Sequence, residues 1–148
     1  LSEKIALGNW GEELVAKKAR CPKCKNAKTL KKLTQNFKCA DLICDFCGFV
    51  AQVKTSSTND INTLPNSILG AAWGPQKERM DAGIYTSLFV VLRSKSDKNY
   101  SIFFLPSELQ VPEMFVAREP LSGNAKRAGW QGFLIDTTLV ADRFVRLI

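Results

Sequence analysis

Two paired cysteine motifs constrain this chain more than any other feature. Cys21-Pro-Lys-Cys24 and Cys44-Asp-Phe-Cys47 are separated by nineteen residues. Each C-x-x-C turn offers two sulfurs from one tight bend, so two such turns close around one tetrahedral Zn²⁺. Gly48 follows the second pair directly, where the returning chain needs a permissive backbone. A shell of four thiolates leaves no open coordination position, which makes the expected zinc structural rather than catalytic. Disulfides are the competing use of these cysteines, and a cytosolic setting disfavours them. Cys39, the fifth cysteine, is expected to be a small buried apolar residue.

The 148 residues contain no histidine. Serine–histidine and cysteine–histidine hydrolase chemistry is therefore excluded, as is any nuclease that relies on a histidine base. Carboxylates, lysine, tyrosine or a metal must carry any reaction. Charge is also unevenly placed. Residues 1–38 hold ten Lys/Arg and three Glu, a balance of 10 − 3 = +7, whereas the other 110 residues hold eleven of each sign. The formal excess thus surrounds the first cysteine pair, as expected of a surface that grips a polyanion through phosphate contacts. No apolar run approaches the roughly 18 residues that span a bilayer, and the N-terminal stretch lacks a signal-peptide core. These features predict a cytoplasmic protein with no membrane partner. The absence of an initiator Met predicts that the numbering starts inside a longer gene product.

Along the chain, Ile5, Leu7, Trp10, Leu14 and Val15 recur at helical spacing. With acids early and lysines late, they predict a helix over 3–19. A strand is expected over Cys47–Thr55. Residues 60–80 read as loop and helix, entered through Asn59 or Asp60 as a cap. Residues 83–93 and Tyr100–Leu105 read as two paired core strands across a polar turn, their aromatic residues being core rather than a base-stacking platform. A helical or irregular stretch runs from Pro106 to about Val116. Strand-like pieces follow at Phe133–Ile135 and Arg143–Ile148. The order predicts one mixed α/β domain over 1–148, with the zinc-binding segment inserted at about 21–47.

Chemistry beyond zinc concentrates around the second cysteine pair. In an extended strand Gln52 and Lys54 project from one face while Ala51 and Val53 project from the other. An acid, Asp41, lies some ten residues upstream. This acid-then-(acid or amide)-x-Lys spacing is that of the PD-(D/E)xK nucleases. In such a site Asp41 binds Mg²⁺, Gln52 offers a neutral side-chain oxygen, and the Val53 carbonyl adds another. Lys54 orients the attacking water and offsets charge on the phosphorane-like transition state. A half-exposed strand without catalytic duty is the competing reading. Glu12 and Glu13 are expected to be a solvated helix start, with assistance to a metal site as the alternative. Trp73 and the residues after it are weighed as a DNA contact loop.

Two blocks carry a family resemblance. The first is Cys21-Pro-Lys-Cys24 with Ala40-Asp41-Leu42-Ile43-Cys44-Asp45-Phe46-Cys47. The second is Pro120-Leu121 with Ala125-Lys126-Arg127-Ala128-Gly129-Trp130-Gln131-Gly132 and Ile135-Asp136. In this order they resemble the methyl-directed restriction endonucleases of the DpnI type, which include the Dam-replacing proteins. The resemblance implies a PD-(D/E)xK fold: a mixed sheet flanked by helices, with an inserted four-cysteine zinc knuckle. It also implies a Mg²⁺-dependent endonuclease (Mn²⁺ being the other candidate cation) that cuts double-stranded DNA at GATC with methylated adenine. Asp41, Gln52 and Lys54 would be its catalytic residues. On their own residue types, Lys126 and Arg127 on a Gly-flanked loop are candidate phosphate contacts, with Trp130 packing behind or stacking on a base; a surface loop anchored by a core Trp is the competing reading. Gln52 stands where the family's glutamate is expected. The alternatives are therefore a zinc-containing DNA-binding module with lost or weak cleavage, or a repair nuclease on the same fold.

Overall fold

A computed structural model describes residues 2–35, 37 and 39–148. The first helix, α1 (Glu3–Lys18), starts where the Ser2 hydroxyl accepts the Ile5 N–H at 3.3 Å and ends on Lys17 and Lys18. Both features suit the helix dipole and its unpaired end groups.

Six strands form a mixed sheet: β1 (Leu30–Lys32), β2 (Leu42–Cys44), β3 (Val50–Thr58), β5 (Ser87–Ser94), β6 (Tyr100–Leu105) and β9 (Val145–Arg146), in that spatial order. Among the described residues only β3 and β5 run parallel, paired from Ala51–Ser87 to Thr58–Ser94. The connection between them contains β4 (Ser67–Ala72) and α2 (Trp73–Asp81). A second, antiparallel sheet has β4, β8 (Gly132–Asp136) and β7 (Phe115–Ala117), in that order.

Alternation along the central strands creates two cores. Phe89, Val91, Ile102 and Phe104 face α1 and the cysteine segment, packing with Val15, Ala19, Ala51 and Val53. Leu88, Val90, Leu92, Phe103 and Leu105 face the second sheet and pack with Ile68, Phe133 and Ile135. The central strands are therefore apolar on both faces, as their sequence requires. Gln52 and Lys54, alternating with Ala51 and Val53, lie on the face that the second sheet covers.

Several boundaries differ from the sequence expectation. Residues 60–80 contain β4 before the helix, and Asp60 closes a turn instead of capping a helix. Its carboxylate accepts the Asn62 N–H at 2.9 Å and the Thr63 hydroxyl at 2.7 Å. The Gly83–Tyr85 start of the expected core strand is instead the turn and connection that follow α2, and β5 begins at Ser87. Gly83 has φ of 72°, and the Ile84 N–H returns to the Arg79 carbonyl at 2.8 Å, a helix stop that glycine permits. Trp73 opens α2 and packs 6.0 Å from Phe133, so it is a packing residue rather than the tip of a contact loop. Strand β8 extends one residue beyond the expected Phe133–Ile135 at each end, and β9 falls inside the expected Arg143–Ile148. No helix is long and apolar enough to cross a membrane among the described residues.

Candidate metal and catalytic sites

The two C-x-x-C turns are built alike. The Cys21 N–H donates to the Asn26 carbonyl at 3.0 Å, and the Lys25 N–H donates back to Cys21 at 2.9 Å. In the second turn Cys44 donates to Phe49 at 2.7 Å, and Gly48 donates back to Cys44 at 2.9 Å. Lys25 (φ 67°) and Gly48 (φ 81°) both take the left-handed conformation that turns the chain back. Glycine signals this at the second turn; nothing in the residue type signals it at the first.

All four sulfurs lie within 4.8 Å of one another, with Cys21–Cys47 at 3.6 Å and Cys24–Cys44 at 3.7 Å. A tetrahedron with Zn–S bonds of about 2.3 Å has edges of about 3.8 Å, whereas a disulfide needs about 2.05 Å. The cluster fits zinc and excludes disulfides, and all five cysteines are free thiols. Burial pushes the Cys21 thiol up to about 12. Burial opposes ionisation of Cys44 as well, but the Thr29 hydroxyl at 3.2 Å and the turn N–H groups outweigh it and bring that thiol to about 6. A cation placed among the four sulfurs resolves this uneven proton affinity by taking all of them as thiolates.

Strand β2 leaves this cluster in one direction and Asp41 precedes it in the other. The Asp41 N–H donates to the Ala51 carbonyl at 2.9 Å, while its own carbonyl accepts the Leu33 N–H at 2.8 Å. Asp41 Oδ2 then accepts the Val53 N–H at 2.8 Å. The β2–β3 ladder stops at Leu42–Ala51, so Asp41 sits where the two strands part and its side chain replaces the next ladder bond. A strand residue sends its N–H and C=O to the same side. The Val53 carbonyl therefore leaves β3 toward Asp41 too.

Lys54 is half-buried beside this point. Burial lowers its pKa, against the opposing charges of Asp41, Cys39 and Glu12. Cys39 is thus not the buried apolar residue expected. It is half-exposed with φ of 62°, in the bend that brings Asp41 to β3. Glu12 is half-buried as well. Burial raises its pKa, and Asp41 raises it further, against the lowering pull of Lys32 and Lys54. Lys32 Nζ lies 3.8 Å from Glu12 and 3.7 Å from Glu13. Glu13 is exposed, as a solvated helix residue should be; Glu12 is not. Asp41, the Val53 main chain, Lys54 and Glu12 thus form one neighbourhood. Gln52 joins it by register, two residues before Lys54 on the same strand face.

Lys126, Arg127 and Trp130 stand apart, in the loop from Arg118 to Gln131 beside the second sheet. The Arg127 guanidinium lies 4.4 Å from the centre of the Trp130 ring. The loop is closed by Leu121 N–H to Trp130 (2.9 Å) and Gly129 N–H to Leu121 (2.9 Å). A separate concavity of about 1080 Å³ opens between the end of α1, the first cysteine turn and the C-terminal strand, with Lys18, Arg20, Lys23, Lys25 and Arg143 along it. Asp41, Gln52 and Lys54 do not line it, so the cationic lobe and the Asp41 neighbourhood are different surfaces.

Residues 4–148 match the family described as DpnI, the Dam-replacing family. The chain belongs to the Dam-replacing family. The match includes both cysteine turns, the Asp41 hairpin and the Arg127–Trp130 loop. The four-cysteine cluster, which is consistent with a zinc knuckle, therefore lies within the matched residues.

Proposed function

We propose that this chain is a zinc-stabilised, DNA-binding domain of nuclease type, spanning 1–148, whose phosphodiester cleavage is weak. The observation that supports this reading is the parting of β2 and β3. There Asp41, the Val53 carbonyl and Lys54 come together, while Gln52 occupies the position that would complete the charge. Asp41, Gln52 and the Val53 carbonyl suit a hard divalent cation, Mg²⁺ or Mn²⁺, which prefers oxygen ligands. When bound, such a cation polarises the scissile phosphate and makes water a better nucleophile at neutral pH. The side chains do the rest. Asp41 is fixed by the Val53 N–H, with its second oxygen left available. The Lys54 ammonium, held close to two carboxylates, orients the attacking water and offsets negative charge as the phosphorus–oxygen bond breaks.

Double-stranded DNA is the proposed partner. The cationic lobe around the first cysteine turn supplies contacts to phosphates, which fix position without reading sequence. Lys126, Arg127 and Trp130 supply a second contact on the side of the sheet that Lys54 faces. The cytoplasm is the proposed location.

A fully competent methyl-directed endonuclease acting at GATC with methylated adenine is the second reading, favoured by the half-buried Glu12. Plasmids carrying methylated or unmethylated GATC separate the two when incubated with the wild type and with Asp41→Ala, in Mg²⁺ and in Mn²⁺. Binding with slow cutting that Asp41→Ala abolishes supports weak cleavage, and rapid cutting of methylated plasmid alone supports the second reading. Failure to bind either plasmid overturns both.

A further inference from the structure

The concavity at the end of α1 has a lining of two chemistries. Lys18, Arg20, Lys23, Lys25 and Arg143 line it, against one carboxylate, Glu108. Val50, Leu109, Val145 and Leu147 line it too, each between 39% and 55% exposed, and the Phe49 and Phe104 rings add to this apolar surface. We infer that the concavity is a docking site for a peptide segment of another protein, one that combines acidic with large apolar side chains. Such a site is separate from the Asp41 neighbourhood and does not rest on it.

A phosphate backbone does not suit this lining. Its contacts are charges and hydrogen bonds, and they leave an aliphatic wall uncovered. Large apolar side chains gathered at one exposed place and rimmed by charge mark a surface that another protein covers. The rim sets the sign of that protein. With five cations to one carboxylate, an acidic segment is drawn in and a basic one is repelled. The walls are also fixed in advance. The Ser87 hydroxyl accepts the Ser107 N–H at 3.1 Å, and the Gln110 amide donates to the Thr86 carbonyl at 2.7 Å. Arg143 donates to the Leu109 carbonyl at 3.0 Å, and Arg20 donates to the Lys25 carbonyl at 3.2 Å. Walls held in this way lose little freedom when a ligand docks. At about 1080 Å³ the space exceeds the roughly 300–1,000 Å³ of small-molecule sites, so a stretch of peptide fills it better than a metabolite does. Lysines of the lobe that lie outside the concavity, Lys28 and Lys31 among them, serve the DNA contacts proposed above.

A phage library of random short peptides, panned against the zinc-loaded chain at physiological ionic strength, tests this. The enriched peptides should carry net negative charge together with Leu, Ile or Phe. Synthetic copies, followed by fluorescence anisotropy, should bind the Leu109→Ser, Leu147→Ser double variant at least about tenfold more weakly than wild type. Lys23→Glu should weaken them about threefold or more. Leu69→Ser, on the second sheet, should leave binding within about twofold, and the double variant should bind double-stranded DNA within about twofold of wild type. Enrichment of neutral or basic peptides, or of none, overturns the inference. So does undiminished peptide binding by Lys23→Glu, whose exposed position leaves the fold intact. If the serine pair weakens DNA binding as much as peptide binding, the concavity is nucleic-acid surface instead. If sedimentation shows a dimer that the serine pair dissociates, the occupant is a second copy of this chain and not an acidic partner.

Discussion

The Val53 N–H points at Asp41 Oδ2 across 2.8 Å, and this bond continues the β2–β3 ladder one step beyond the last paired backbone. An acid is thereby locked to the strand that carries Gln52 and Lys54. Asp41→Ala removes the acceptor and leaves the amide to find water. It should cost about 1–3 kcal/mol. Asp41→Asn keeps an oxygen at that position and should stay within about 1 kcal/mol of wild type. Urea unfolding of the zinc-loaded protein measures both. Equal stability of the alanine and asparagine variants would show that the bond contributes nothing.

Lys25 and Gly48 occupy equivalent left-handed positions in the two cysteine turns. That conformation costs a side chain about 1 kcal/mol that glycine escapes. Lys25→Gly should therefore raise stability by up to about 1 kcal/mol, and Gly48→Ala should lower it by a similar amount. Thermal melting with zinc saturated reads both changes. Lys25→Gly also removes a cation from the lobe, so a slight loss of DNA affinity in low salt should accompany its higher melting temperature.

Zinc would close the turn of the hairpin that presents Asp41, because Cys44 ends β2 and Cys47 lies just before β3. Chelation should free the β1–β2 pairing first and leave the β5–β6 core intact. Hydrogen exchange should then accelerate at Lys31, Leu42 and Ile43, with Val91 and Ile102 still protected. Any DNA cleavage should disappear with the same zinc dependence. A zinc-free protein that stays protected at Leu42 and still cuts would refute the coupling.

How much of this was legible in the sequence follows from the range of each interaction. The zinc cysteines declare themselves because ligand spacing within a turn is local. Strands β5 and β6 declare themselves because residues buried on both faces read as unbroken apolar runs. Strand β4 does not. Ser67–Ala72 lies at an edge of the second sheet, and its small residues match facing groups far along the chain; Gly70 is small because the Phe133 ring occupies the space its side chain would need. Glu12 resembles any early helix acid until β3 is placed against it. The bend at Cys39 and the left-handed Lys25 carry no residue signal, since glycine or asparagine is the usual mark of such positions.

Gly11 and Thr55 set the distance between α1 and β3. Gly11→Ala should push the helix outward and cost about 1–3 kcal/mol. The Thr55 hydroxyl is buried without a hydrogen-bond partner among the described residues. Thr55→Ala alone should accordingly be close to neutral, and the double variant should recover most of the Gly11→Ala loss. Denaturant melts of all four proteins complete the cycle. Additive losses would mean that the two residues do not meet.

Lys54 gives the clearest pH dependence, because burial holds its pKa below the ordinary 10.5 in the folded protein. Between the lowered value and 10.5 the unfolded chain binds more protons than the folded one, so stability contributed at this position rises with pH across that window. Below it, the folded protein bears the full cost of an ammonium ion that solvent no longer surrounds. Lys54→Met should therefore be more stable than wild type at pH 7, and the difference should shrink as pH approaches 10.5. Glu12 is raised above 4.5 chiefly by burial, and so behaves in mirror image. Glu12→Gln should stabilise the protein at pH 7, with the gain fading as pH falls toward 4.5. Urea midpoints at pH 4.5, 7 and 10 for the three proteins test both signs. Two half-buried charges that each lower stability at neutral pH would fit the cation site proposed beside Asp41. If neither variant gains stability at pH 7, Lys54 and Glu12 are ordinary solvated side chains, and the physical case for a hydrolytic site beside Asp41 weakens with them.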